Sequence, residues 1–304
     1  MKNTVIAIII VAVLAAIGIG FYFLKQGDGK IGQMEEGGTT TTKTGGESGQ
    51  INGTQNNAAE TVIGTSVEGR AITAYHYGSG AKEIIFVGGI HGGYEWNTVI
   101  LANELTDYLK TNPEIIPKNL KVTVIPVLNP DGLSKVAGNK IRFAASDVSA
   151  SQAVQISGRF NANKVDLNRN FDCKWQTSGM WQNTAVSGGS AVFSEPESQA
   201  MKKYIESRDP AAVVVWNSAA GGVYSSSCLS GVSSETSALT KAYADASGYP
   251  AYKSFDFYET TGDMTNWLAK NNIPAISVLL TNHKDTEWNK NLEGVKAVLK
   301  RYAQ

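Results

Sequence analysis

The spacing of hydrophobic positions changes several times along this 304-residue chain, and each change marks an element. Residues 5–24 form a run of twenty without a charge. As a helix that run reaches about 30 Å, enough to cross the hydrocarbon core of a bilayer. Residues 25–59 turn to Gly, Thr, Ser, Asn, Gln and Glu, with too little apolar surface to offset the entropy of ordering, which predicts a flexible linker. Beyond them, residues 61–77 read as a pair of strands turning at Glu68-Gly69-Arg70. Residues 82–89 are a short apolar run ending in glycine, as a buried strand does. Val99, Ile100, Leu101, Leu105 and Leu109 recur at helical spacing over residues 97–110. A second buried strand is expected over 120–128, broken by Asn129-Pro130-Asp131-Gly132. The alternation continues with a helix over 195–207, a strand over 211–216, helices over 234–247 and 264–270, a strand over 274–280 and a closing helix over 289–302.

Strands alternating with helices predict an α/β fold over residues 60–304, with a mostly parallel mixed sheet covered by helices on both faces. Sites in such sheets form at the carboxyl ends of strands. His91, Asn217 and the residues after Leu280 all fall at such ends, which groups them. Lys and Arg total 27 and Asp and Glu total 27, dispersed along the chain, so nothing points to nucleic acid. Residues 1–4 form a short cytoplasmic N-terminus. The apolar run ends in Phe21-Tyr22-Phe23-Leu24-Lys25, unlike a small-residue cleavage site, so a signal anchor at 5–24 is expected, with the domain outside the cytoplasm. Cleavage of that segment would make the domain secreted. Cys173 and Cys228 are the only cysteines, and an oxidising compartment permits a bridge between them without requiring one.

Two segments carry candidate chemistry. Gly88-Gly89-Ile90-His91-Gly92-Gly93-Tyr94-Glu95 offers an imidazole and a carboxylate just after a strand, the donor types a catalytic zinc takes. Alone, this pattern better suits a hydrogen-bonded structural histidine. Asp166-Leu167-Asn168-Arg169-Asn170 places an amide beside a guanidinium, a combination that grips a carboxylate. Taken together, the two segments resemble the zinc carboxypeptidases (peptidase family M14), and the resemblance runs through four segments in the family's order. It implies an α/β/α sandwich, one zinc ion and a peptide ligand with a free C-terminal carboxylate. By that resemblance His91 and Glu95 are metal ligands, although three residues separate them where the family commonly has two. Asn168 and Arg169 bind the terminal carboxylate, and Arg159 is the electrophile that polarises the scissile carbonyl. Tyr258 is the lid over the bound terminus. Asp263 and Thr265 lie near the side-chain pocket, where an Asp would favour basic side chains.

The same resemblance exposes two departures. The third zinc ligand of the family, a His at the end of a central strand, corresponds here to Asn217. Its general-base Glu corresponds to Leu279, within Ile276-Ser277-Val278-Leu279-Leu280. An amide oxygen is a poor zinc ligand beside imidazole, and leucine transfers no proton. Loss of a general base costs on the order of 10²–10⁴ in rate. His283 and Glu287 are close enough in sequence to be considered as replacements. Three functions therefore compete. The first is a membrane-anchored domain that recognises peptide C-termini with hydrolysis lost or impaired. The second is an active extracytoplasmic metallocarboxypeptidase acting on peptides or cell-wall peptides. The third is a structural or partner-binding domain with a vestigial site.

Overall fold

The computed structural model describes residues 59–304; the anchor expected at 5–24 and the linker before residue 59 lie outside the described residues. Ten strands occur in chain order: β1 (Ala59–Thr65), β2 (Ala71–Tyr77), β3 (Lys82–Val87), β4 (Leu120–Ile125), β5 (Ser178–Trp181), β6 (Thr184–Ser187), β7 (Ala212–Ser218), β8 (Gly222–Ser225), β9 (Ala251–Tyr252) and β10 (Ala275–Leu280). Eight of them make one sheet in the order β1-β2-β4-β3-β7-β10-β8-β9, while β5 and β6 pair as a separate hairpin. The four central strands β4, β3, β7 and β10 run parallel. β1, β2 and β8 attach antiparallel to their inner neighbours. This is the mixed, mostly parallel sheet expected from the alternation of elements.

Among the described residues seven α-helices accompany the strands: α1 (Trp96–Thr111), α2 (Pro130–Ala137), α3 (Gln152–Ser157), α4 (Pro196–Arg208), α5 (Ser234–Ser247), α6 (Met264–Lys270) and α7 (Trp288–Tyr302). Successive side chains of a strand point to opposite faces, and the core divides accordingly. Ile84 and Phe86 of β3 join Trp216, Val278, Leu101, Leu105, Tyr243 and Val298 beneath α1, α5 and α7. Ile85 and Val87 join Val213, Val215, Met201, Tyr204 and Trp267 beneath α4 and α6. Each such side chain, fully buried, contributes about 1.5–3 kcal/mol. Both faces of the central strands are thus spent on packing, which leaves only their ends for chemistry. Among the described residues no helix is long and apolar enough to cross a membrane.

One boundary differs from the sequence reading. Asn129-Pro130-Asp131-Gly132, expected only to break a strand, also starts α2: the Asn129 side chain accepts from the Gly132 N–H at 2.8 Å, with Pro130 in the first turn. An N-cap followed by proline is a helix start as well as a stop. The short elements α3, β5, β6, β8 and β9 were not anticipated, being too brief to show a period.

Candidate active site

His91 stands beyond the end of β3, in a turn that only glycine permits. Gly92 has φ of 45°, and a Cβ there would lie 2.8 Å from the Gly158 carbonyl oxygen and from the Leu133 nitrogen. A Cβ on Gly93 would fall 2.3 Å from a methyl of Val136. The glycines therefore let the turn lie directly against α2 and the chain leading to Arg159. Within it, His91 Nδ1 is 3.0 Å from Glu95 Oε1, and His91 Nε2 is 3.2 Å from Asp166 Oδ1. All three side chains are buried. Nδ1 is nevertheless misaligned for a hydrogen bond with Glu95 and has no other partner, and Glu95 Oε2 has none at all. Burial and Arg159 push the His91 pKa down, but Glu95 and Asp166 outweigh them and hold it above the ordinary value.

Asp166 was quoted in the sequence motif but given no role, and the structure makes it the hinge of the site. Its Oδ2 accepts from Arg159 Nε at 3.0 Å and from another Arg159 nitrogen at 2.8 Å. Its Oδ1 meets His91 and caps the Asn168 N–H at 3.0 Å. Burial alone would raise its pKa; Arg159 and His91 override that and hold the carboxyl well below the usual range. A carboxylate behind an imidazole fixes the ring and leaves the opposite nitrogen for a ligand. Arg159 is further fixed by Trp181 of β5, whose ring centre lies 4.5 Å from the guanidinium carbon.

Arg169 is 1% exposed. Two of its nitrogens donate to backbone oxygens, of Met180 at 2.8 Å and Asn168 at 3.3 Å, while Nε has no partner. Its guanidinium carbon lies 5.6 Å from the Tyr258 ring. Asn168 is committed to α6: its Nδ2 donates to Asp263 Oδ2 at 2.8 Å and its Oδ1 accepts from the Met264 N–H at 3.0 Å. Asp263 is the N-cap of that helix, accepting from the Asn266 N–H at 2.9 Å and the Thr265 hydroxyl at 2.7 Å.

Asn217 and Leu279 face each other in register on the parallel strands β7 and β10. Both are buried, and Asn217 Oδ1 has no hydrogen-bond partner. A cavity of about 700 Å³ brings all the anticipated residues together: His91, Glu95, Arg159, Asn168, Arg169, Asn217, Tyr258, Asp263 and Leu279 line it. His283 lines it too, with its ring 4.6 Å from that of Tyr94 and a buried, unpartnered Nδ1; burial lowers its pKa. Glu287 instead bonds the Thr281 N–H and the Tyr249 hydroxyl, away from the cavity lining. Cys173 and Cys228, left open by the sequence, form a disulfide at the cavity edge. Tyr94 and Trp181 were not singled out as site residues. Trp181 sits on a four-residue strand whose only sequence signal is its aromatic content.

Whether the site suits zinc turns on these donors. His91 Nδ1, Glu95 and Asn217 Oδ1 are buried, unsatisfied and on one cavity, but the third is a neutral amide. Among the described residues no three His, Cys, Asp or Glu side chains gather as a metal cluster. The set falls one strong ligand short of a catalytic zinc centre.

The profile of the family described as zinc carboxypeptidase matches residues 50–292, and the chain belongs to that family. It is 27% identical over 222 residues to γ-D-glutamyl-L-diamino acid endopeptidase 1 of Lysinibacillus sphaericus, a match covering 65% of this chain and 54% of that protein. It is 30% identical over 154 residues to bacteriocin BCN5 of Clostridium perfringens, covering 49% of this chain and 15% of the bacteriocin. The chain thus spans about half or less of these relatives. Among solved structures, carboxypeptidase A from Helicoverpa armigera superimposes with a TM-score of 0.65 at 18% identity, over 82% of this chain and 69% of the other. That likeness fixes the fold: an α/β sandwich of the carboxypeptidase A kind.

Proposed function

We propose that this domain captures the free C-terminal carboxylate of peptides in the cavity and hydrolyses them poorly or not at all. The observation carrying this reading is Arg169: a buried guanidinium with no carboxylate partner among the described residues and one donor unspent. A buried cation without a counter-charge is costly, and a ligand carboxylate on the cavity side would relieve it through charge-assisted hydrogen bonds. The Tyr258 ring lies 5.6 Å from that guanidinium, and Arg159, held by Asp166, lines the same cavity. Asn168 keeps one amide hydrogen for the ligand while its other bonds hold α6. Leu279, where the family resemblance puts the general base, supplies no proton transfer. Zinc is bound weakly or not at all, with Asn217 as third donor. The domain sits outside the cytoplasm on an anchor formed by residues 5–24.

Calorimetry of the full-length chain with an acetylated dipeptide, as free acid and as C-terminal amide, tests the reading. Binding of the acid only, lost by 30- to 100-fold in Arg169→Met, is expected for charge-assisted bonds of this kind. Equal affinity for acid and amide would refute it and leave a vestigial site. A second reading, an active peptidase acting on peptides or cell-wall peptides, draws on the preassembled His91–Glu95 pair and on the named activity of the Lysinibacillus relative. It requires about one zinc held per chain and release of the terminal residue.

A further inference from the structure

The charges lining the cavity are unevenly spent. Glu95 lies against His91, and Arg159 is paired with Asp166. Asp263 is 7% exposed, and both its oxygens are occupied, Oδ2 by Asn168 and Oδ1 by Thr265 and the Asn266 N–H. Two cations of the lining remain without an acidic partner among the described residues: buried Arg169 and exposed Lys174, the latter making no hydrogen bond or ion pair there. Lys174 is not an arbitrary surface lysine in its backbone setting. The residue before it is bridged to Cys228, and the indole N–H of the residue after it, Trp175, donates to the Gly188 carbonyl at 2.9 Å. Cys173, Cys228, Ser227 and Asn266 also line the cavity, with the Ser227 N–H donating to Asn266 Oδ1 at 2.9 Å.

We infer that the ligand is a dianion at its C-terminal residue, with the α-carboxylate on Arg169 and a second carboxylate on Lys174. The class is a peptide ending in an acidic residue, or in an amino acid bearing a second carboxylate. The inference rests on the carboxylate-capture reading above and adds the selecting charge to it. A monoanion leaves Lys174 without a partner, and a cationic side chain meets a like charge with Asp263 already bonded on both oxygens. Complementary charge of this kind discriminates between ligands more than it adds affinity.

The test is calorimetry of the full-length chain with acetyl-Ala-Glu, acetyl-Ala-Leu and acetyl-Ala-Lys as free acids, plus acetyl-Ala-Leu amide. The Glu peptide should bind about five- to tenfold more tightly than the Lys peptide, the sum of one attraction and one repulsion at a solvent-accessible charge. Lys174→Met should level the two, and Lys174→Glu should reverse their order. A wild-type preference for the Lys peptide would make Asp263 the selecting charge and overturn the inference. So would an order that Lys174→Glu leaves untouched. If the acids bind equally well whatever their side chain, this inference alone fails. If the Leu acid binds no better than its amide, carboxylate capture fails with it.

Discussion

Trp216 and Asn217 are consecutive residues of one strand, and they belong to two different regimes. The Trp216 indole N–H donates to the Tyr243 hydroxyl at 3.0 Å, which donates in turn to Asn291 Oδ1 at 2.7 Å, all three being buried behind the sheet. One residue on, at the strand's end, Asn217 Oδ1 has no partner. The contrast extends across the domain. In the packed interior on the sheet's other face, buried Glu83, Tyr204 and Thr123 likewise bond one another. Around the cavity, His91, Glu95, Arg169, Asn217, Tyr224 and His283 each keep an unsatisfied buried atom, against Glu104, Thr261, Arg301 and Tyr302 elsewhere among the described residues. Burying a polar group without a partner costs free energy. Such groups gather where a ligand is meant to complete them, and their clustering separates the binding end of the sheet from the structural one.

The largest effect expected from this division is a gain of function at the unsatisfied end. Leu279→Glu combined with Asn217→His should bring zinc-dependent release of C-terminal residues, with the base alone worth on the order of 10²–10⁴ in rate. A folded, zinc-loaded double variant without activity would mean that the two positions are wrongly assigned. A paired stability measurement probes the contrast itself. Tyr243→Phe should cost about 1–3 kcal/mol, because it strands the Trp216 donor and the Asn291 acceptor. Asn217→Leu, removing an amide that already lacks a partner, should leave stability level or raised. Comparable losses in both denaturation curves would erase the distinction. The smallest effect concerns pH. Burial would raise the Glu287 pKa, but bonds from Lys290, the Thr281 N–H and Tyr249 bring it down to about 2. Its contribution is complete above the ordinary carboxylate value and is lost as pH falls from there through about 2. The gap in melting temperature between the wild type and Glu287→Gln should therefore shrink as pH is lowered from about 6 to about 3. A gap that stays constant would deny the ion-paired role.

Much of the sheet was legible because its strands are long apolar runs bounded by glycine or proline, as residues 82–89 and 274–280 are. The central helices showed themselves by period. Between residues 129 and 195 the sequence offered motifs but little periodicity, so the helices and hairpin that aim Arg159 and Arg169 came only from the structure. The anticipated site residues do line one cavity. What the sequence hid was their bonding: Asp166 at the junction of His91 and Arg159, Trp181 over Arg159, and Asn168 tied to α6 through Asp263. Those roles depend on which neighbour a side chain reaches across sequence separations of 7 to 95. No local pattern records that.

The register of β7 against β10 couples two positions. Because residues 217 and 279 are neighbours on adjacent strands, a change at either alters the surroundings of the other. With an amide at 217 a glutamate at 279 would be a buried charge facing no cation, and leucine relieves it. Asn217→His or Leu279→Glu made singly brings a burden and no chemistry. On the proposed reading the two positions work as a unit, so a gain at this end of the sheet takes both changes in a single stride.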